Sequence, residues 1–205
     1  MDATYERLCT TPSDINEHLP TLYSYAKQCE RVLELGVRGV VSSWAIAKGL
    51  AENGKAIKSL HVNDLEPCAI DELVEVSGRA GVTVTHEWKN DLELEVSKHV
   101  DMTFIDTWHI YGQMARELAK FSKVTDRYII MHDTTVDEWM GETVRCFGGY
   151  RAAEIQSQQT GIPVPEIMRG VWPAIQEFLE THGDEWRLKE RFTNNNGLTV
   201  LERIF

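Results

Sequence analysis

Two aspartates and two histidines in the second half of the chain are the residues best suited to chemistry. Asp106 closes the run DMTFI, with His109 three residues later, and His132-Asp133-Thr134-Thr135 closes the run YIIM. If both runs are strands of one parallel sheet, their carboxyl ends deliver all four side chains to a single crevice. Two carboxylates placed there repel each other unless a cation or a shared proton lies between them. Oxygen donors on Asp106 and Asp133 suit Mg²⁺ or Mn²⁺, and His132 or His109 would extend the set toward softer ions. Without a metal, one of the histidines or Asp106 would take a proton directly. Taken singly, each residue is more often a cap or a satisfied polar group. The coincidence of four at neighbouring strand ends argues for a site.

A second set lies in the first half. Glu34-Leu-Gly-Val-Arg-Gly39 follows a short apolar run, a place where glycines allow a sharp turn and a close approach of ligand to backbone. It is not the dinucleotide fingerprint, because Glu34 stands where the first glycine would be. Glu34 itself could meet a ligand ammonium or hydroxyl. Asp64, in HVNDLEP, ends the next apolar run, where an acid accepts the two hydroxyls of a ribose or, alternatively, caps a helix ahead of Pro67. Asn90-Asp91 ends a third, to reach an adenine edge or to cap the next helix. The glycine turn and Asp64 together favour a cofactor that carries a nucleoside.

The elements that must hold these residues can be read from periodicity. Arg31–Leu35, Ser59–Asn63, Val82–Trp88, Val100–Ile105 and Arg127–Met131 read as strands. Between them, Ser42–Asn53 reads as a helix opened by a serine cap, and Ile70, Leu73, Val74 and Ser77 share one face of another. Tyr111, Met114, Ala115, Leu118 and Phe121 share a face of a third. Alternation of this kind predicts an α/β fold, a doubly wound, Rossmann-like, mostly parallel sheet. Trp186–Phe192 and Leu198–Ile204 flank the turn TNNNG and predict a C-terminal antiparallel hairpin. The stretch 134–172 lacks clear periodicity and is expected to be an acceptor-binding insertion, with Trp139, Tyr150 or Trp172 offering a flat face to a ring. Pro173 suits the first turn of a helix carrying Ile175, Phe178 and Leu179.

Composition sets the outer limits. The 205 residues, 42% hydrophobic, suit one domain with an N-terminal helical segment over 1–30. A net charge of −11 disfavours nonspecific binding to nucleic acid or anionic membrane. No apolar run is long enough to span a bilayer, no secretory signal is visible, and the four scattered cysteines form no CxxC pair, so a cytoplasmic location is expected.

VLELGVRGVVSS, VNDLEP, DMTFIDTWHIYGQ and IIMHDTT resemble the successive motifs of class I S-adenosylmethionine-dependent methyltransferases. The nearer kin are cephalosporin-hydroxylase-like and rhamnosyl O-methyltransferases, among them glycan-capping domains of large chlorella viruses. The similarity runs from about Arg31 to the tail WPAIQEFL…EWRLKERFTNNNGLTVLERI. It implies an S-adenosylmethionine-dependent O-methyltransferase acting on a sugar, glycan or similar small acceptor. It also implies cofactor contacts at Glu34, Gly36, Gly39, Ser42, Asp64 and Asp91, and metal positions at Asp106, His132 and Asp133. One departure stands out: catechol-type relatives carry Asp-Asn where this chain has His132-Asp133. Three rival readings remain: a nicotinamide-dependent reductase, disfavoured by the missing fingerprint and the terminal hairpin, a non-haem iron oxygenase, and a nucleoside-binding module without turnover.

Overall fold

The structure, a computed structural model, describes residues 1–204. Five parallel strands, β1 (Arg31–Leu35), β2 (Ser59–Asp64), β3 (Thr83–Trp88), β4 (Val100–Ile105) and β5 (Thr125–His132), are joined by a hairpin of β6 (Trp186–Phe192) and β7 (Leu198–Arg203). Their order is β3-β2-β1-β4-β5-β7-β6, and β7 runs antiparallel to both of its neighbours. The mostly parallel α/β sheet with its reversed terminal hairpin is as expected. Strand order reverses between β1 and β4, which opens a crevice at their carboxyl ends, where doubly wound sheets take ligands.

The central strands are apolar because helices cover both faces, and the pleat sends alternate residues to opposite sides. Val32, Met102, Phe104, Ile130 and Val200 belong to one buried cluster, and Leu33, Leu35, Ile105, Ile129, Met131 and Leu201 to the other. The first is closed by α1 (Asp2–Thr10), α2 (Leu19–Ala26), α3 (Val41–Ala51) and α4 (Asp71–Arg79), with Leu19, Leu22, Trp44, Leu50 and Leu73 buried. The second is closed by α5 (Tyr111–Phe121), through Met114, Leu118 and Phe121.

Two local readings are corrected. The stretch 134–172 is largely helical: α6 (Glu142–Cys146), α7 (Tyr150–Thr160) and α8 (Val164–Met168) precede α9 (Val171–Thr181), whose Ile175 and Phe178 reach the second cluster. α6 and α8 span five residues each and α7 buries Ala153 alone, so no apolar stripe marks a helical period, and Gly148, Gly149 and Gly161, each at positive φ, interrupt the stretch. Val74 is 37% exposed, so α4 packs by Leu73 and Ser77. Among the described residues, no helix is long and apolar enough to cross a membrane.

Candidate active site

Three strand ends are stitched together where β1 leaves the sheet. Gly36 Nα donates to the Asn63 carbonyl (2.9 Å), and Asp106 Nα donates to the Leu35 carbonyl (2.8 Å). Gly36 sits at φ +84°, and a Cβ there would lie 2.0 Å from the Asp106 carbonyl oxygen. This glycine therefore serves the approach of β4 to the loop. Gly39 is different: its nearest neighbour to an added Cβ is Val41 Cγ2 at 3.7 Å, so its face of the loop is open.

Asp64 braces the same loop. Its Oδ2 accepts from Val37 Nα (2.8 Å) and Arg38 Nα (2.9 Å), and Oδ1 accepts from Glu66 Nα (3.2 Å). Burial alone would raise its pKa, but the Arg38 and Val37 N–H donors outweigh that and hold it below the usual value. The helix-cap alternative does not describe it, because α4 begins only at Asp71 behind Ile70. Ser42 does not cap α3 either. Val40, at φ 60°, is the N-cap, and Ser42 Oγ donates to Glu34 Oε1 (2.5 Å). Glu34 is wholly buried with Oε2 unpartnered, and burial lifts its pKa to about 7 against the pull of the Ser42 and Ser43 hydroxyls.

Asn90 does cap, accepting from Leu92 Nα (3.0 Å), while Asp91 Oδ1 accepts from Gln113 Nε2 (2.9 Å). Gln113 also donates to Glu117 Oε1 (3.0 Å), a fully buried carboxyl whose pKa burial and the nearby Asp91 raise well above the ordinary range. Gln113 and Glu117 were not anticipated. Their signal is a polar pair at i, i+4 set among Met114, Leu118 and Phe121 on a buried helix face.

At the ends of β4 and β5, the four expected residues do converge. His109 Nε2 lies 3.2 Å from Asp106 Oδ1 and 3.1 Å from Asp133 Oδ2. His132 Nδ1 lies 3.3 and 3.4 Å from the same two oxygens. Asp133 is held at φ 55°, a left-handed conformation rarely kept without reason. Behind His109, Nδ1 is 3.4 Å from Asp137 Oδ2 and 3.6 Å from Glu142 Oε2. Arg145 grips Asp137 through two 2.7 Å bonds. Behind His132, Nε2 is 3.1 Å from the Asn195 carbonyl, which can only accept, so that nitrogen carries its proton. Burial opposes charge on both rings, yet the facing carboxylates prevail: His132 rises to about 10 and His109 also moves well above its usual value. Burial would lift Asp106, and its bonds from His109 and His132 instead hold it well below the carboxylate range. Asp137, Arg145 and Asn195 escaped sequence reading because nothing in their spacing ties them to the strand ends.

Does this donor set fit a metal? Asp106, His109 and Asp133 each present a ligand atom, all within 4.8 Å of one another. The trio has His109 where the resemblance implied His132. Neighbouring ligands of an octahedral ion bound at 2.0–2.1 Å stand about 3 Å apart, close to the spacings here. His132 turns Nδ1 toward the carboxylates and Nε2 onto the Asn195 carbonyl, whereas His109 Nδ1, 3.4 Å from Asp137 Oδ2, has no hydrogen-bond partner among the described residues. Asp133 Oδ1 is buried without a partner among the described residues. The residues fit a divalent ion.

One cavity of about 670 Å³ runs from Asp64 past Gly36 and Gly39 to Asp106, His109 and Asp133. Its size suits a small-molecule site. Ser42 and Asp91 also line it, whereas Glu34 and His132 stand behind its wall. The segment after β5 contributes Glu142, Thr160, Gly161 and Ile162. Trp139, Tyr150 and Trp172 do not line the cavity. The first two are exposed, and Trp172 is buried beneath the Arg191 guanidinium, 3.5 Å from its ring centre. Trp108 is the aromatic that lines it, with Nε1 donating to Thr143 Oγ1 (3.2 Å).

No protein-family model and no curated protein matches this chain. Solved structures do. The O-methyltransferase TomG of Streptomyces achromogenes, solved with S-adenosylmethionine, superposes with a TM-score of 0.60 at 14% identity, covering 100% of this chain and 91% of TomG. The O-methyltransferase of Bacillus cereus, solved with S-adenosylhomocysteine, gives 0.56 at 16% identity, over 100% and 92% of the two chains. The N-methyltransferase NodS of Bradyrhizobium japonicum gives 0.56 at 14%, over 98% and 97%. The fold is the class I methyltransferase fold. In that methyltransferase fold, the cavity at the β1/β4 reversal is the place a doubly wound sheet offers a ligand.

Proposed function

We propose that the chain is an S-adenosylmethionine-dependent O-methyltransferase acting on a hydroxyl of a sugar, glycan unit or similar small acceptor, assisted by Mg²⁺ or Mn²⁺. The observation that carries this reading is the single cavity that joins the glycine loop, Asp64 and Asp91 to Asp106, His109 and Asp133. Its first half supplies what a nucleoside requires: an open backbone face at Gly39 and acids for ribose and adenine. Bound there, S-adenosylmethionine supplies a methyl group to the acceptor oxygen and leaves as S-adenosylhomocysteine. Asp106, His109 and Asp133 would hold the divalent ion, which when bound lowers the pKa of a coordinated hydroxyl.

The chain's own work is orientation and proton transfer. The acceptor oxygen must lie in line with the methyl carbon and sulfur, and Trp108, Glu142 and Thr160 wall the side from which it enters. His109 faces that space: its Nε2 would hold the ion when one is bound and, without an ion, would take the acceptor's proton. Asp137, locked by Arg145, orients the ring from behind. Thr134 onward remains the acceptor-side segment in this reading, acting through Glu142 and Thr160–Ile162 in place of Trp139, Tyr150 and Trp172.

The test is methyl transfer from labelled S-adenosylmethionine to a panel of glycosides and small hydroxylated acceptors. Transfer is expected to stop in excess chelator and to return with Mn²⁺ or Mg²⁺, while S-adenosylhomocysteine binding, read by calorimetry, survives chelation. Asp133→Asn should lower turnover far more than cofactor affinity. Full turnover in chelator removes the metal and leaves His109 or Asp106 as unaided base. Failure to bind S-adenosylhomocysteine removes the whole reading.

A further inference from the structure

The connection between β6 and β7, Thr193-Asn-Asn-Asn-Gly197, is more than a hairpin closure. Asn195 (φ 45°), Asn196 (φ 68°) and Gly197 (φ 94°) are consecutive left-handed residues, a conformation unfavourable for residues with a Cβ. The strain turns three successive carbonyls inward, each onto a different part of the molecule. Asn194 O faces His18 Nε2 (2.9 Å), and Asn195 O takes the His132 Nε2 proton (3.1 Å). Asn196 O takes the Nα protons of Thr135 and Val136 (2.9 and 3.0 Å). The Asn195 side chain reaches the opposite way. Its Nδ2 donates to the Ser13 carbonyl (2.8 Å), and its Oδ1 accepts from Glu17 Nα (3.0 Å). Between those two anchors lie Asp14 and Ile15, which line the cavity. His18 and His132, both 1% exposed, meet edge to face with centroids 5.7 Å apart.

Among the described residues, the Asn195 carbonyl is the acceptor behind His132, whose Nδ1 points at Asp106 Oδ1 and Asp133 Oδ2. We propose that Asn195 is a positioning residue. Its carbonyl fixes the His132 ring with Nε2 protonated and Nδ1 turned to the two carboxylates, and its side chain ties that arrangement to the seating of Ser13–Glu17 on the cavity wall. The proposal rests on Asp106 and Asp133 forming the reactive centre of the proposed methyltransferase. It does not require His132 to bind the ion itself, because the ring contacts both carboxylates that do.

Two variants separate the carbonyl from the side chain. Gly197→Ala places a Cβ about 2.2 Å from Thr135 Oγ1 and moves the turn as a whole. Asn195→Gly keeps the left-handed backbone and removes only the tether to Ser13 and Glu17. Mn²⁺ and S-adenosylhomocysteine affinities are measured by calorimetry on the purified chain. Loss of outer support costs metal sites roughly 10- to 100-fold, and that is the expected fall in Mn²⁺ affinity for Gly197→Ala. Asn195→Gly should lose about threefold or more, and S-adenosylhomocysteine affinity should stay within about threefold for Gly197→Ala. In a His132→Ala background, neither variant should change Mn²⁺ affinity further, because the route through the ring is gone.

Wild-type Mn²⁺ affinity in Gly197→Ala overturns the proposal, as does an equal loss when His132 is absent. If Gly197→Ala does not fold, Asn195→Gly decides by the same two criteria. Should the wild-type chain bind no Mn²⁺, the metal part of the proposed function fails separately. The turn is then judged by ¹⁵N spectra of the histidine rings. A slowly exchanging Nε2–H on His132, lost in either variant, supports the positioning role, and identical spectra end it.

Discussion

Asp64 uses both carboxylate oxygens on backbone N–H groups, with Oδ1 accepting from Glu66 Nα. Oδ2 ties down Val37 and Arg38, and the residue still lines the cavity. Charge-assisted hydrogen bonds contribute about 1.5–3 kcal/mol, so Asp64→Ala should weaken S-adenosylhomocysteine binding roughly 10- to 100-fold. It should also lower the Tm of the ligand-free chain, since two loop N–H groups lose their acceptor. Unchanged affinity by calorimetry would leave Asp64 as a loop brace alone. Glu34 makes a different prediction. Its pKa is about 7 when folded against 4.5 as the ordinary value, so the folded chain binds more protons than the unfolded chain between those pH values. Stability therefore falls as pH rises from about 4.5 through about 7, by about 3 kcal/mol in all for a shift of this size. Glu34→Gln should flatten that slope in urea melts run at pH 5 and pH 8. An unchanged slope would show that Glu34 stays ionised throughout.

Among the elements, the β1–α3 loop shows how two glycines of one motif differ in kind. Gly36 has positive φ and no room, because the β4 end occupies the place of its side chain. Gly39 has room that a ligand could use. Gly36→Ala should thus destabilise the chain by at least about 2 kcal/mol, from left-handed strain plus the clash with the Asp106 carbonyl. Gly39→Ala should leave unfolding midpoints within about 0.5 kcal/mol of the parent and act on cofactor affinity instead. The two are separated by urea denaturation and calorimetry on each variant, and equal stability losses would refute the distinction. The post-β5 segment teaches the converse point. By type its aromatics read as binding surfaces, but Trp172 is buried beneath Arg191, and of the described residues in this segment Glu142 and the Thr160–Ile162 turn reach the cavity.

For the molecule as a whole, a ligand that binds only the folded chain stabilises it by mass action. At one hundred times its Kd, S-adenosylhomocysteine should add about 2.7 kcal/mol, which for a domain of this size raises Tm by roughly 5–10 °C. NADH and NADPH should leave Tm unmoved in the same thermal scan. A shift with either nicotinamide, and none with S-adenosylhomocysteine, would revive the reductase reading.

Much of this arrangement is local and therefore readable in the chain itself. The apolar runs at Arg31–Leu35 and Val100–Ile105 coincide with β1 and β4, because buried parallel strands must be continuously apolar and turns must interrupt them. Strand ends in turn bring Asp64, Asp106, His109 and Asp133 to one sheet edge once the sheet is parallel. Tertiary structure alone decided which atoms face one another. Side-chain direction at a strand end depends on partners far away in sequence, such as Asn195, 63 residues beyond His132. That is why His132 lies behind the wall and His109 before it, and why Asp137 and Arg145 join the centre although no spacing announces them. The helices of 134–172 belong to the same class: α6 and α8 are too short to declare a period, α7 buries Ala153 alone of its residues, and the three pack on one another, with α8 reaching α5.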